Sequence, residues 1–440
     1  MMLARHTRLA TTLCVLAGLF VAVSAHASPL STTRSTLPNG MRVVLAPDPS
    51  ATAVDAALWF PAGSRNEKAT QSGLALLAAR LTFRNGAGLP LAPLTAVGGE
   101  GNIVATPDYT SFGATVPPQS LDVALAFLAA RSLPRATTAA ELAAERAALK
   151  LDGERNDRPP VARAIARLWS AAWPGHAYAN TGATPSQGAA AITPADLDAW
   201  RRTRLSASNA TLTITGAFDA DSALAAVRRR FGAQARTTAP AAPTAVAPRA
   251  AQRARARTEL PVRLCLVGWR APGAGDADAA ALELLAAWLG GQPQARLGRV
   301  LMNDWKLAVA TQAGFVAQRE GSLLWTMAAV TPEADSGAVE TTLLDAVTGV
   351  TRQAPDAMEF ERARRQVETS ALFALQTARQ RSQALGEAEM LAGDAAAAER
   401  RLEALHRVTP ADVQRVAARV MTDAGRATLW LLPENTGGAR

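Results

Sequence analysis

Histidine and cysteine are scarce in this 440-residue chain, with four of the first and two of the second. His6, His26 and Cys14 all fall in the N-terminal stretch, which leaves His176, His406 and Cys265 for the rest. Without that stretch no intrachain disulfide is possible, so the fold must be held by its core. Cys265 lies in the apolar run VRLCLVGW and reads as a small buried hydrophobe. Lysine is rarer still, at Lys68, Lys150 and Lys306, so arginine carries nearly all the positive charge. The net charge of +9 falls to +7 once Arg5 and Arg8 are removed. No basic cluster is interleaved with aromatics, which argues against a nucleic-acid partner. The arginines read instead as solvated helix faces. No G-x-S-x-G elbow, P-loop or G-x-G-x-x-G motif occurs, and Gly98–Gly101 lacks the lysine or serine of a phosphate cradle.

Long apolar runs are also missing, apart from Leu13–Val23. That run is too short to span a bilayer. Arg5 and Arg8 precede it and Ala25-His26-Ala27 follows, so residues 1–27 read as a secretory signal. A membrane anchor is the alternative. The mature chain is then expected to start near Ser28 and to be secreted or periplasmic. Its length, about 410 residues, suggests two or more domains.

A repeat organises the rest. Ile192-Thr193-Pro194-Ala195-Asp196-Leu197 recurs as Val408-Thr409-Pro410-Ala411-Asp412-Val413. Thr before Pro predicts a helix N-cap followed by proline at the first helical position. Each copy leads through an Arg-containing helix to an apolar strand, at Ala210–Phe218 and Ala427–Glu434. Between the halves, residues 233–258 are rich in Ala, Pro and Arg and read as an extended linker. The expected domains are residues 30–232 and 259–436. In the first, strands are expected at 41–45, 54–60 and within 102–116, with helices over 71–83, 121–130 and 139–152. In the second, strands are expected at 261–268, 308–315 and 322–330, with helices over 277–289, 337–351, 357–378 and 379–392. The order suits an α+β fold of two homologous domains, each an antiparallel sheet covered by helices.

One helix bears on chemistry. Gly73–Phe83 reads GLALLAARLTF. Leu76 and Arg80 are one helical turn apart, so both side chains point to one side. The segment resembles the zinc helix of insulinase/pitrilysin-type peptidases, the inverzincins, whose motif is H-x-x-E-H. Leu76 and Arg80 stand at the histidine positions and Ala79 at the glutamate position. The resemblance continues in Gly98-Gly99-Glu100-Gly101-Asn102, in Asp108-Tyr109-Thr110 and in Trp173–Asp219. In active relatives the strand at Asn102 pairs with peptide substrate through its main chain. Glu145-Arg146 is similar to the start of the family's E-R helix, which puts the third zinc-ligand position at Asp152. The two acids read here as a solvated helix face. Ala295-Arg296-Leu297 is similar to the family's S-R-L motif. The arginine and tyrosine that follow it in active assemblies, and help hold substrate, are Met302 and Val309 here.

The resemblance implies the family's frame without its zinc chemistry. No catalytic residue and no metal or other cofactor is expected. His176 and His406 read as packing or surface residues. Family members of full length enclose substrate in a clamshell of four similar domains, so two domains make half of one. The implied role is partner subunit, in a heterodimer, of an active homologue that retains zinc. Alternatives are a standalone envelope protein that binds peptides at the strand near Asn102, and a zinc-dependent endopeptidase whose site the sequence does not display.

Overall fold

The computed structural model describes residues 31–85, 90–155, 159–180, 186–238 and 247–434. The signal segment 1–27 and part of the linker lie outside them. The first half builds a six-stranded sheet from β1 (Thr33–Thr36), β2 (Arg42–Pro47), β3 (Val54–Phe60), β4 (Glu100–Ala105), β5 (Thr110–Val116) and β6 (Thr211–Gly216), in the order β1-β2-β6-β3-β5-β4. The second half builds a five-stranded sheet from β7 (Arg253–Thr258), β8 (Arg263–Ala271), β9 (Ala308–Val316), β10 (Ser322–Val330) and β11 (Arg426–Pro433), in the order β7-β11-β8-β10-β9. Leaving β1 aside, the two orders match strand for strand. Both sheets are mainly antiparallel, as expected, but each holds one parallel pair, β2 with β6 and β7 with β11. Strand β7 comes from the stretch read as linker. Its sequence RARART alternates arginine with alanine, and its residues alternate between exposed and half-buried up to Thr258. That is the pattern of an edge strand.

The longer helices are α1 (Leu74–Arg84), α2 (Leu121–Arg131), α3 (Ala139–Arg155), α4 (Pro160–Ala172), α5 (Pro194–Arg204), α6 (Ala220–Phe231), α7 (Ala279–Gly290), α8 (Ser336–Thr348), α9 (Ala357–Phe373), α10 (Ala378–Ala392), α11 (Ala396–Arg407) and α12 (Pro410–Val420). Helices α5 and α12 begin as the repeat predicts. Thr193 and Thr409 accept hydrogen bonds from the backbone N–H of Asp196 and Asp412, and each aspartate returns to the threonine in a capping box. One apolar core joins the first sheet to α1, α2, α5 and α6, with Leu58, Phe60, Leu77, Phe112, Leu128 and Phe231 at its centre. A second joins the other sheet to α7, α8, α9 and α12.

The remaining face of each sheet is covered by a helix from the opposite half. Helix α4 lies on the second sheet, where Leu168, Trp169 and Trp173 pack with Leu264, Leu323 and Leu429. Helix α10 lies on the first, where Leu385 meets Val44 and Met390 meets Trp59. The two helices hold matching places in their halves, so the halves exchange equivalent elements. The α4 joint is mainly apolar, and each large side chain buried there is worth about 1.5–3 kcal/mol. The α10 joint is largely polar, with hydrogen bonds worth about 1 kcal/mol each net.

A buried polar junction ties the halves beside α4. Asp108 is fully buried. It accepts hydrogen bonds from the Tyr178 hydroxyl at 2.7 Å and from the Arg319 backbone N–H at 3.0 Å, and Arg65 Nε lies 3.0 Å away. The Tyr178 oxygen accepts from the Glu320 backbone N–H at 3.0 Å. Arg65 and His176 both reach the Glu320 carboxylate. His176 accepts the Tyr178 N–H on Nδ1, which leaves its proton on Nε2, and burial pushes its pKa below the ordinary histidine value.

At the closest approach of α10, a Cβ added at Gly386 would overlap the Trp59 indole. Gly386→Val is expected to destabilise the chain by about 1–3 kcal/mol, read as a lower urea midpoint; an unchanged midpoint would contradict this packing. Tyr178→Phe strips the bridge between Asp108 and Glu320 and is expected to cost about 1–3 kcal/mol in the same assay.

Candidate functional site

Helix α1 starts at Gly73, whose φ of 96° suits glycine. The Glu67 carboxylate accepts the N–H groups of Gly73 and Ala75 at 2.9 and 2.7 Å, satisfying donors that open the helix. Because the helix is fixed this way, its motif positions face predictable directions. Leu76 is partly buried and packs on the first core. Ala79 is fully buried. Arg80 emerges on the side that faces α3.

On α3, Glu145 and Asp152 point back toward Arg80. Its guanidinium hydrogen-bonds Asp152 Oδ2 at 2.7 Å and ion-pairs with Glu145. Arg84 Nε lies 2.9 Å from the other Glu145 oxygen. The reading of Glu145 as part of a solvated face is therefore corrected: it is only 2% exposed and sits between two arginines. Asp152 is half-exposed. A buried carboxylate needs a countercharge, and α1 supplies one from a position legible in the sequence only as a lost ligand. Burial works against the charge on Arg80, but the Asp152 hydrogen bond and the Glu145 charge outweigh it and hold its pKa above the usual arginine value.

These residues do not fit zinc. The position between the two helix-borne acids is taken by a permanent cation. Leu76 offers no donor, and Ala79 offers neither base nor ligand. Among the described residues no group of three or more His, Cys, Asp or Glu is placed to hold a metal ion. His176 belongs to the buried junction, and His406 is exposed beside Glu368 at 3.4 Å.

Two of the other positions lie on open sheet edges. Asn102 sits on β4, at one edge of the first sheet, opposite Gly113 of β5. Its side chain folds across that glycine, and its Oδ1 is buried without a hydrogen-bond partner. The outer main-chain edge of β4 has no neighbouring strand among the described residues. Val309 lies on β9, the matching edge of the second sheet, and is 58% exposed. Met302 lies in the turn of π-helix Gly298–Asp304, where its sulfur is 3.8 Å from the Thr311 hydroxyl. Both positions thus carry apolar side chains where the resemblance places an arginine and a tyrosine.

Three participants, Arg84, Arg65 and Glu320, do not stand out in the sequence. Arg84 was signalled only by its place one turn beyond Arg80. Arg65 lies in the short 3-10 helix Ser64–Asn66 and Glu320 in the connection from β9 to β10, and their meeting depends on the whole fold.

Two matched sheet-and-helix units, with a motif helix opposed to an acid-bearing helix, define a paired-unit α+β scaffold. Residues 42–186 match the insulinase (peptidase family M16) model, and residues 191–367 match that of the peptidase M16 inactive domain. The chain belongs to the insulinase family, and the resemblance read from its motifs holds. An uncharacterized zinc protease from Mycobacterium tuberculosis is 27% identical over 414 residues, 90% of this chain and 92% of the relative. A protease from Helicobacter pylori superposes with a TM-score of 0.83 at 18% identity, over 92% of this chain and 99% of that one. A peptidase M16 inactive domain from Pseudomonas fluorescens does so with a TM-score of 0.79 at 18% identity, over the same shares.

Arg80→Ala is expected to lower stability by about 1–3 kcal/mol, measured by denaturant unfolding. Adding Glu145→Ala should cost less than the two single effects summed. Simple additivity would show that the two side chains do not interact.

Proposed function

We propose that this chain is an exported, non-catalytic member of the insulinase family that serves as the partner subunit of a zinc-bearing homologue. The carrying observation is Arg80, whose guanidinium lies between Glu145 and Asp152 where the family places its metal. A fixed cation there repels a second one, and the adjacent methyl of Ala79 cannot take a proton from water. Neither metal nor other cofactor is part of this reading. The retained two-unit frame supports the role of partner: it is half of the four-unit enclosure that the family resemblance implies. The residues that would hold substrate on the second half are Met302 and Val309, so the zinc-bearing partner would supply both catalysis and most substrate contacts. Export rests on the signal character of residues 1–27.

A second reading is favoured by one observation, the open edge of β4. An extended peptide adding to it would gain main-chain hydrogen bonds, and the chain would then act alone as an envelope peptide-binding protein.

Co-expression with a homologue that bears H-x-x-E-H is expected to give a complex of two unlike chains in light scattering, with altered peptide cleavage by the homologue. A monomer that leaves the cleavage unchanged would sink the partner role, and peptide binding by that monomer would favour the second reading. The double variant Leu76→His with Arg80→His is expected to show no chelator-sensitive peptide cleavage, because the base at Ala79 is still missing. Stoichiometric zinc in the purified wild-type chain, with cleavage that chelator abolishes, would refute the non-catalytic reading.

A further inference from the structure

The two exchanged helices fill equivalent places but are held by unlike forces. Around α4 the contact is an aromatic and aliphatic layer, reinforced by the buried junction at Asp108, and the ion pair of Arg163 with Glu259 at 3.4 Å is peripheral to it. Around α10 the apolar contact divides into two small clusters, while Leu405 anchors α11 in the second core. Between and around those clusters the joint is polar. Thr213 shares a 2.7 Å hydrogen bond with Ser382, and the Trp59 indole N–H donates to Thr213 at 2.9 Å. The Tyr109 hydroxyl donates to Glu387 at 2.8 Å. A rim of ion pairs completes it: Arg381 with Asp48, Arg42 with Glu389 at 3.2 Å, Arg379 with Glu100 at 2.7 Å and Arg34 with Asp394 at 3.0 Å.

We propose that α10 forms a strap that opens from the outer face of the first sheet while α11 stays anchored in the second core, whereas α4 stays fixed to the second sheet until the whole chain unfolds. The asymmetry of the two joints sets the order. Opening the α4 joint would give indole and leucine surface to water, with only the junction at Asp108 to rehydrate in return. Opening the α10 joint would rehydrate carboxylates, hydroxyls and guanidinium groups that are well solvated when free. Asp55 shows the tension within the closed joint. It is buried beneath the strap, faces Thr115, Ser382 and the more distant Arg379, and burial pushes its pKa above the ordinary aspartate value. The ends of the strap suit a hinged segment. Thr377 caps the start of α10 through a capping box with Gln380. Gly393 closes the helix with a φ of 78°, in open space where a Cβ would meet no atom within 4 Å. Opening would bare Trp59, Tyr109 and the hydroxyl row of Thr213 and Thr215.

Hydrogen exchange on the full chain, read by mass spectrometry, tests this. In low salt, amides of α10 are expected to exchange roughly tenfold or more faster than those of α4. In about 1 M salt, where the screening length falls to about 3 Å, the strap should exchange faster still relative to α4. Arg34→Ala with Arg381→Ala should reproduce the salt effect in low salt. A disulfide formed between Thr213→Cys and Ser382→Cys should suppress the early exchange of α10. Equal exchange of α4 and α10 in wild-type protein, or a strap whose rate relative to α4 does not change with salt, would overturn the proposal. The wild-type comparison decides the matter even if a variant fails to fold.

Discussion

A sheet that is apolar on both faces must have both covered, and this requirement shapes the entire chain. Each half has enough helices to cover the inner face of its own sheet. Each leaves the outer face bare and fills it with a helix from the other half. The repeat is therefore not two beads on a string. A division at the linker would leave Leu264, Leu323 and Leu429 without α4, and Trp59 without α10. The junction at Asp108 becomes intelligible in the same terms. It lies where loops of the two halves converge beside α4, and it satisfies buried polar atoms contributed by both.

The motif helix shows how an arginine can hold two helices together. A metal between helix-borne ligands ties two helices together. Arg80 makes the same connection, from α1 to Glu145 and Asp152 on α3, and Arg84 adds a second contact. Glu145 can remain buried because positive charge is still present beside it. The acids of α3 are then as much a part of the fold as the leucines around them.

Much of the fold could be read in advance. The ends of β3 and β10 fall at 54–60 and 322–330, as expected, because both are mainly apolar runs bounded by turn residues. The repeated Thr-Pro-Ala-Asp located two helix starts, since capping is a local interaction. Helix α4 was not anticipated. Pro159 and Pro160 open it, and two adjacent prolines suggest a break as readily as a helix start. Strand β7 was hidden because arginine alternating with alanine lacks the apolar pattern of a strand. At the site, the positions of Leu76, Ala79 and Arg80 were legible, but the burial of Glu145 was not. An acid in an alanine-rich helix looks solvated until the arginine on a distant helix is placed beside it.

The exchange of helices also bears on how the chain acquires its structure as it is made. The first sheet is complete once β6 has formed, yet α10 lies more than a hundred residues further on. Until that helix arrives, the face bearing Val44, Ala57 and Trp59 has nothing to cover it. Helix α4 likewise waits, amphipathic and unpaired, for strands that follow it. Contacts this distant in sequence slow folding and leave sticky surface exposed meanwhile. The first half therefore cannot bury that face until the last third of the chain has emerged.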